Sequence, residues 1–442
     1  MDPVPVDPLL RRHRIALQLC FVIPGLSLAT WVTRTPDVRD RLDASTAEMG
    51  LVLFGMSIGS MLGILVAGAL VARFSTRPVI IACMSLVLAG VGTVALGTAA
   101  ATAPMVACGL LLFGAGVGIS EVASNVDAAE LERQLGRPVL PAIHGCYSLG
   151  TLIGAGLGVA GAAAGLPVPW HLTVTLLVAV GLFAFAVPRL RPGTGRRPRT
   201  ADTSAAGAAS TTRPADPEAT AGARERRLYL DPRLLMIGGV VLGMTLAEGA
   251  ATDWLPLLMV DGHHMPAGLG SLVYAGFAAA MAAGRFAGGP VVARAGRPTV
   301  LRGGALLTAA GIALVSFVDS PVAAGCAVVL WGLGTSLGFP LALSAAGESG
   351  PDAPGRVALA SRIGYVALLA GPPALGFLGE HHGLRAAMVP VLLLMLVAAA
   401  LSPATAPRPT TAATGEPETD SSALAAPRQD VGSGTHPTHS QR

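Results

Sequence analysis

Residues 68–77 read GALVARFSTR, and residues 289–297, starting 221 positions later, read GPVVARAGR. Each closes a long apolar run with a glycine, a small-residue helical turn and an arginine five positions on. Two further pairs share an offset of 218: Phe113-Gly-Ala-Gly116 with Trp331-Gly-Leu-Gly334, and His144-Gly-Cys-Tyr147 with Arg362-Ile-Gly-Tyr365. Offsets this close mark a duplicated unit rather than a coincidence. Each copy holds six apolar runs, at 15–34, 49–72, 77–99, 104–126, 139–163 and 167–187, then at 234–258, 267–292, 298–317, 321–345, 356–378 and 384–402. A run of about 20 apolar residues crosses a bilayer as a helix that satisfies its own backbone hydrogen bonds. The expected fold is therefore an all-α membrane protein of twelve transmembrane helices in two pseudo-symmetric six-helix bundles.

The bundles are expected at 15–187 and 234–402, joined by a flexible, Arg/Pro/Thr/Ala-rich linker over 188–233. A cytoplasmic N-terminus (1–14) and a disordered cytoplasmic tail (403–442) flank them. Neither the linker nor the tail has enough apolar surface to order itself. The composition agrees: 52% hydrophobic and 13% charged, against about 25% charged in a soluble domain.

The basic residues are all arginine, and they lie in loops beside the spans rather than on a soluble face. A nucleic-acid partner is therefore not expected. With both termini inside, Arg73, Arg77, Arg133, Arg137, Arg294, Arg297, Arg302, Arg356 and ten arginines from Arg189 to Arg233 fall on one side. The other side receives Arg34, Arg39, Arg41 and Arg385. Positive loops stay cytoplasmic, so the chain is expected in the cell membrane, multi-pass, with both termini inside. Cys20, Cys83, Cys108, Cys146 and Cys326 sit inside apolar runs without ligand spacing and read as small buried hydrophobes. Arg11, Arg12 and Arg14 precede a long first span that reads as retained, not cleaved.

Two six-helix halves, with a short Gly-x-x-x-x-Arg loop repeated between spans 2–3 and 8–9, resemble the major facilitator superfamily of secondary transporters over nearly the whole chain. The family's loop carries an acid before the arginine where this chain has Ala72 and Ala293, and its span-4 arginine is replaced by Gly109 and Leu110. Those departures point away from the drug-antiporter branches. Gly118-Ile-Ser-Glu121-Val-Ala-Ser-Asn125 through His144-Gly-Cys-Tyr-Ser-Leu-Gly150 resembles the fucose-permease-like sugar:proton symporters. The resemblance implies alternating access around a mid-membrane site and proton coupling through Glu121. It also implies gating by Arg73, Arg77, Arg294 and Arg297 at the cytoplasmic helix ends; those arginines could equally be solvated anchors. Symporters of that group place an acid in span 1, where this chain has Thr30-Trp31.

Ionisable side chains inside a span are costly and face a cavity or a partner. Glu121 falls roughly 9 Å to the cytoplasmic side of its span's midpoint, and Asn125 follows one turn on along the same face. Partial dehydration favours the neutral acid, which suits proton loading; the alternative is a structural hydrogen bond. His144 lies at matched depth on span 5, so contact with Glu121 is geometrically open. Arg362 stands at the repeat-equivalent position, either facing the cavity or snorkelling to the interface.

Span 7 offers Glu248 near its middle and Asp253-Trp254 further out. The two acids are about 140° apart around a helix and cannot share a face. Glu248 is expected in the cavity, its alternative an inter-helix hydrogen bond, so that Glu121 couples protons alone or with it; Asp253 is expected at an outer gate, in substrate binding or in a helix-end role. Tyr147 and Tyr365 are candidate cavity walls, with Trp254 and Trp331 as further substrate-binding aromatics. Trp31 and Trp254 can also be read as interfacial belt residues.

Gly55-x-x-x-Gly59-x-x-x-Gly63, Gly154-x-x-x-Gly158 and Gly284-x-x-x-Gly288 are read as close helix crossings. Gly114-x-Gly116-x-Gly118 lies inside an apolar span with no preceding strand and is not read as a nucleotide loop. No nucleophile–base pair, metal-ligand cluster or nucleotide site is apparent, so neither an enzyme nor a cofactor or metal is expected. The expected function is proton-coupled symport of a small polar, sugar-like solute by a monomer in the bilayer. The alternatives are a drug or metabolite exporter working by proton antiport, and a transporter-like sensor that moves nothing.

Overall fold

In a computed structural model of the protein, residues 7–135, 139–192, 194 and 227–407 are described. Arg137, most of the linker and the tail beyond Pro407 lie outside the described residues.

Among the described residues twelve helices are long and apolar enough to cross a membrane, and no strand occurs. The first half comprises α1 (Pro8–Thr33), a short α2 (Thr35–Leu42), α3 (Thr46–Phe74), α4 (Thr76–Ala99), α5 (Ala103–Leu135), α6 (Leu140–Ala163) and α7 (Val168–Ala186). The second comprises α8 (Pro232–Leu257, then a π-helical turn Leu258–Gly262), α9 (Ala267–Ala295), α10 (Arg297–Phe317), α11 (Pro321–Thr335), α12 (Gly338–Glu348), α13 (Ala353–His382), α14 (Leu384–Ala387) and α15 (Val389–Leu401). The capping chemistry follows the sequence. Asp7 accepts the Leu9 N–H at 2.8 Å, which starts α1 ahead of the apolar run. Ser45 and Glu48 form a reciprocal capping box at the start of α3.

Packing repeats between the halves. Helix α3 packs on α5 and α1 on α6; in the second half α9 packs on α11 and α8 on α13. The interface between halves is itself symmetric, made chiefly by α3 against α13 and α6 against α9. The glycine spacings permit the crossings: a Cβ on Gly59 would stand 2.1 Å from the Leu111 carbonyl oxygen. Gly114 and Gly118 press in the same way on the backbone of Met56 and Ser60, so the Gly-x-Gly-x-Gly run is a helix contact.

The structure departs from the sequence reading in several places. Helix α5 continues nine residues beyond the expected end at 126, because Glu130–Arg133 and Glu130–Gln134 bonds support a solvated last turn. Span 10 is broken at Ser336–Leu337. Pro340 has no N–H to return to the Ser336 carbonyl, so the helix cannot run through. Cys20 and Cys83 are buried, as expected, but Cys108 and Cys326 are exposed on the outer surfaces of apolar helices.

Three hydrogen bonds between described residues join the halves, and all lie at the end opposite the arginine-rich loops. Arg39 of α2 pairs with Asp261 in the turn after α8, Ala47 N–H donates to Glu380 at 3.2 Å, and Ser271 Oγ donates to the Thr33 carbonyl at 2.6 Å. Beside them Gly50 of α3 meets Gly376 of α13, where an added Cβ on Gly376 would stand 2.9 Å from Gly50 Cα. At the arginine-rich end no hydrogen bond between described residues joins the halves. Among the described residues the bundles are hydrogen-bonded to each other at one end and within themselves at the other.

The arginine-rich end is braced within each half. His13 Nδ1 accepts the Arg191 N–H at 3.2 Å, which leaves Nε2 protonated and 3.2 Å from Asp127 Oδ2; Thr76 donates to Asp127 at 3.1 Å. In the second half Arg356 is buried against Asp231 at 2.5 Å and donates to Ser349 at 2.7 Å. Burial works against ionisation of Asp231, yet the Arg356 guanidinium and the N–H groups of Leu234 and Arg233 hold its carboxyl below the usual range. A carboxyl held low in the folded state contributes stability that is complete above its unfolded value and fades as pH falls through the folded one. Asp231→Asn is therefore expected to cost about 2 kcal/mol in thermal unfolding near neutral pH, with the difference from wild type vanishing in acid. A melting difference that persists unchanged in acid would rule this out.

Candidate functional site

A cavity of about 340 Å³ lies between the halves, bounded by Pro24 and Leu28 of α1, Met56, Ser57, Ser60 and Ile64 of α3, and Phe113 of α5. Tyr147 of α6, Thr245, Glu248, Thr252 and Asp253 of α8, Phe339 of α12, and Tyr365 of α13 complete it. A side pocket between α6, α8 and α9 adds Tyr274 and Arg285. The protein has four tyrosines, and three of them, Tyr147, Tyr274 and Tyr365, line this space. In a chain only 4% aromatic, that concentration marks the cavity as a surface for flat, partly polar faces.

The polar centre is an ion pair. Arg285 Nη2 lies 3.0 Å from Glu248 Oε1, and both side chains keep about a third of their exposure, at 37% and 31%. The break in span 10 positions the guanidinium: the Ser336 carbonyl that Pro340 leaves free faces Arg285 Nε at 3.4 Å. One local irregularity thus orients the only guanidinium lining the cavity among the described residues.

The expected site residues sort into three groups. Glu248, Asp253, Tyr147 and Tyr365 meet in the cavity, which corrects the expectation that the two acids of span 7 could not share a face: the cavity is lined by Thr245, Glu248, Gly249, Thr252 and Asp253, an arc of α8 broad enough to take in both. Glu121, Asn125 and His144 form a chain nearer the arginine-rich end, with Asn125 Nδ2 donating to Glu121 at 3.0 Å and its oxygen 3.0 Å from His144 Nε2. The anticipated Glu121–His144 pair is thus bridged by Asn125, and His144 rests edge-on against Phe21 with ring centroids 4.9 Å apart.

The third group is packed elsewhere. Trp331 is fully buried, with Nε1 donating to the Ala247 carbonyl at 3.1 Å. Trp254 is fully buried at the sealed end, its ring 3.1 Å from where a Cβ on Gly376 would lie. Neither lines the cavity, because each indole fills a small-residue gap between helices. Arg362 reaches the Tyr229 hydroxyl at 3.4 Å, near the arginine-rich end. Of the arginines expected to gate, Arg297 holds Glu348 with two bonds of 2.8–2.9 Å inside its own half. Arg73 lies over Phe74 at 5.3 Å, and the buried Arg77 Nε has no hydrogen-bond partner among the described residues. Arg294 is exposed.

Sequence reasoning passed over Arg285, Tyr274 and Asp127. For Arg285 a signal existed, since it is an arginine inside an apolar run. Its repeat counterpart, at the 221 offset of that helix pair, is Ile64. Attention to repeat-matched residues therefore led away from it.

The sequence profile of the Major Facilitator Superfamily matches residues 15–365. The chain belongs to that superfamily. Its relatives include an uncharacterised MFS-type transporter of Yersinia pestis, 32% identical over 392 residues, 88% of this chain and 94% of the relative. Among solved structures the nucleoside transporter NupG superposes with a TM-score of 0.68 at 14% identity, covering 90% of this chain and 98% of that one. The E. coli fucose:proton symporter superposes with a TM-score of 0.56 at 16% identity, covering 90% and 100%. These likenesses establish the superfamily fold; they do not single out the fucose-permease group to which spans 4 and 5 bear their local resemblance.

Proposed function

We propose that this MFS transporter carries a small, polar, ring-bearing solute, a sugar or a nucleoside-like molecule, by proton-coupled symport. The observation that carries the reading is the cavity between the halves, walled by three tyrosines and holding the Glu248–Arg285 pair beside Asp253. Tyrosine faces stack on the apolar faces of a ring while the ion pair takes its hydroxyls or amides. The solved relatives with this fold include transporters named for nucleosides and for fucose with protons. Energy comes from a gradient, and the cavity acids are the groups able to take up a proton.

The arginine-rich end faces the cytoplasm by the positive-inside rule. On that orientation the seal at Gly50–Gly376 closes the outside, and the protein is captured facing inward. Transport is one half rocking against the other about the cavity. A polar, ion-paired cavity disfavours the sensor reading, which needs none. The protein works as a monomer, because each copy holds a complete cavity between its own halves.

Proteoliposomes under an imposed pH gradient, offered a panel of labelled sugars and nucleosides, test the reading. Accumulation in the direction of proton flow is the expected result. Accumulation against it would establish antiport and remove the symport assignment.

A further inference from the structure

We infer that Asp253, rather than Glu121 or Glu248, carries the coupling proton, and that the outer seal closes over its neutral form. The inference rests on the proton-coupled reading above.

Three acids are near enough to the cavity to serve. Glu248 is committed to Arg285 at 3.0 Å, and protonating it would leave that guanidinium without its partner. Glu121 is exposed and hydrogen-bonded to Asn125. Asp253 differs from both. It faces the cavity with only 8% of its surface exposed, and among the described residues it has no hydrogen bond and no ion pair. The charged carboxylate finds no partner in that setting, whereas water would supply one.

Its surroundings supply no compensating charge. The ionisable groups lining the cavity with it are Glu248 on α8 itself, Tyr147 from α6 and Tyr365 from α13, and the adjoining side pocket adds Tyr274 and Arg285 from α9. Arg285 is already held by Glu248. Helices α1, α11, α12 and α15 present no ionisable side chain to the cavity among the described residues, and the Arg39–Asp261 pair between α2 and the turn after α8 is closed on itself.

Position makes the group responsive to gating. Trp254, the next residue, is fully buried and packs on Gly376, which meets Gly50 across the interface between halves. Parting that seal strips cover from the segment bearing Asp253 and admits water. Pro256, which cannot bond the Thr252 carbonyl, and the π-helical turn Leu258–Gly262 make the same segment irregular and able to adjust. Closure is favoured when Asp253 is neutral and is progressively lost as pH rises and the acid ionises, so a proton taken from outside accompanies each closing step.

Infrared difference spectroscopy on the purified full-length protein, titrated across the neutral range, reads proton binding without any substrate. The carbonyl stretch of a protonated carboxylic acid should appear as pH falls and lose its whole titrating amplitude in Asp253→Asn. It should persist in Glu248→Gln and Glu121→Gln, and return at a shifted frequency in Asp253→Glu, which also serves if the Asn variant does not fold. A band unchanged in Asp253→Asn, or one lost instead in Glu248→Gln or Glu121→Gln, overturns the assignment. Absence of any titrating acid in the wild type does so as well. Solute uptake in proteoliposomes is measured separately, so transport can stand even where the Asp253 assignment fails.

Discussion

Replacing Arg285 with alanine is expected to reduce initial uptake rates by roughly 10- to 100-fold, equivalent to about 1.5–3 kcal/mol for a charge-assisted hydrogen bond. The guanidinium does two things at once: it neutralises Glu248 at 3.0 Å, and its Nε faces the Ser336 carbonyl left free by Pro340. Truncation removes both and leaves a carboxylate half-buried beside Tyr147 and Thr252. Because each partner keeps about a third of its exposure, the loss belongs below the 3–5 kcal/mol typical of a broken, fully buried pair. Arg285→Lys restores the charge without the planar fork and should fall between wild type and alanine. Combining Arg285→Ala with Glu248→Gln should cost less than the product of the single losses, since the orphaned charge is then gone. Independent, multiplicative losses in that double-mutant cycle would show that the two side chains do not act as a pair.

The second large effect is expected from Gly376→Val. At this position the two halves meet backbone against backbone: an added Cβ would lie 2.9 Å from Gly50 Cα, 3.0 Å from the Thr46 carbonyl and 3.1 Å from Trp254 Cη2. Two of those neighbours are backbone atoms, which cannot swing aside as a flexible side chain could. The two extra methyl groups of valine deepen the clash, so the sealed conformation becomes inaccessible while each six-helix half keeps its own packing. Uptake should fall to background with membrane insertion and monodispersity retained. An impermeant thiol reagent should at the same time label a cysteine introduced at Thr46 more readily than in the glycine parent. Uptake within a few-fold of wild type would mean that sealing does not depend on this crossing. Gly50→Val probes the same contact from the other half, where the Pro372 carbonyl stands 2.9 Å from the added Cβ.

Much of this architecture was legible beforehand because it depends on properties that act along the chain. Pro340 was visible, and its missing N–H bears on Ser336 whatever surrounds them, yet inside an apolar run the break at Ser336–Leu337 was read through. The α5 extension past 126 was hidden differently: its last turns are polar, so hydropathy ended the span although the Glu130 bonds continue the helix. In the cavity, Tyr147 and Tyr365 stand at positions the repeat pairs. Tyr274 and Arg285 break the repeat and were passed over. Matched depth left a Glu121–His144 contact open, but sequence could not say that the Asn125 amide stands between acid and imidazole. Trp254 and Trp331 looked like cavity aromatics, since an indole in a span has the same sequence signature whether it faces solute or a glycine on the next helix.

The sequence by itself determined the spans, the duplicated six-helix unit and the asymmetric arginine loops. Hydrophobic length, repeat offset and local charge are all counted along a chain. Only the tertiary structure decided that Glu248 is paired with Arg285 while Asp253, five residues on, has no hydrogen bond or ion pair among the described residues. The physical reason is that a side chain's partner depends on the rotation and spacing of helices distant in sequence. Here the Gly50–Gly376 crossing and the Pro340 break set those quantities.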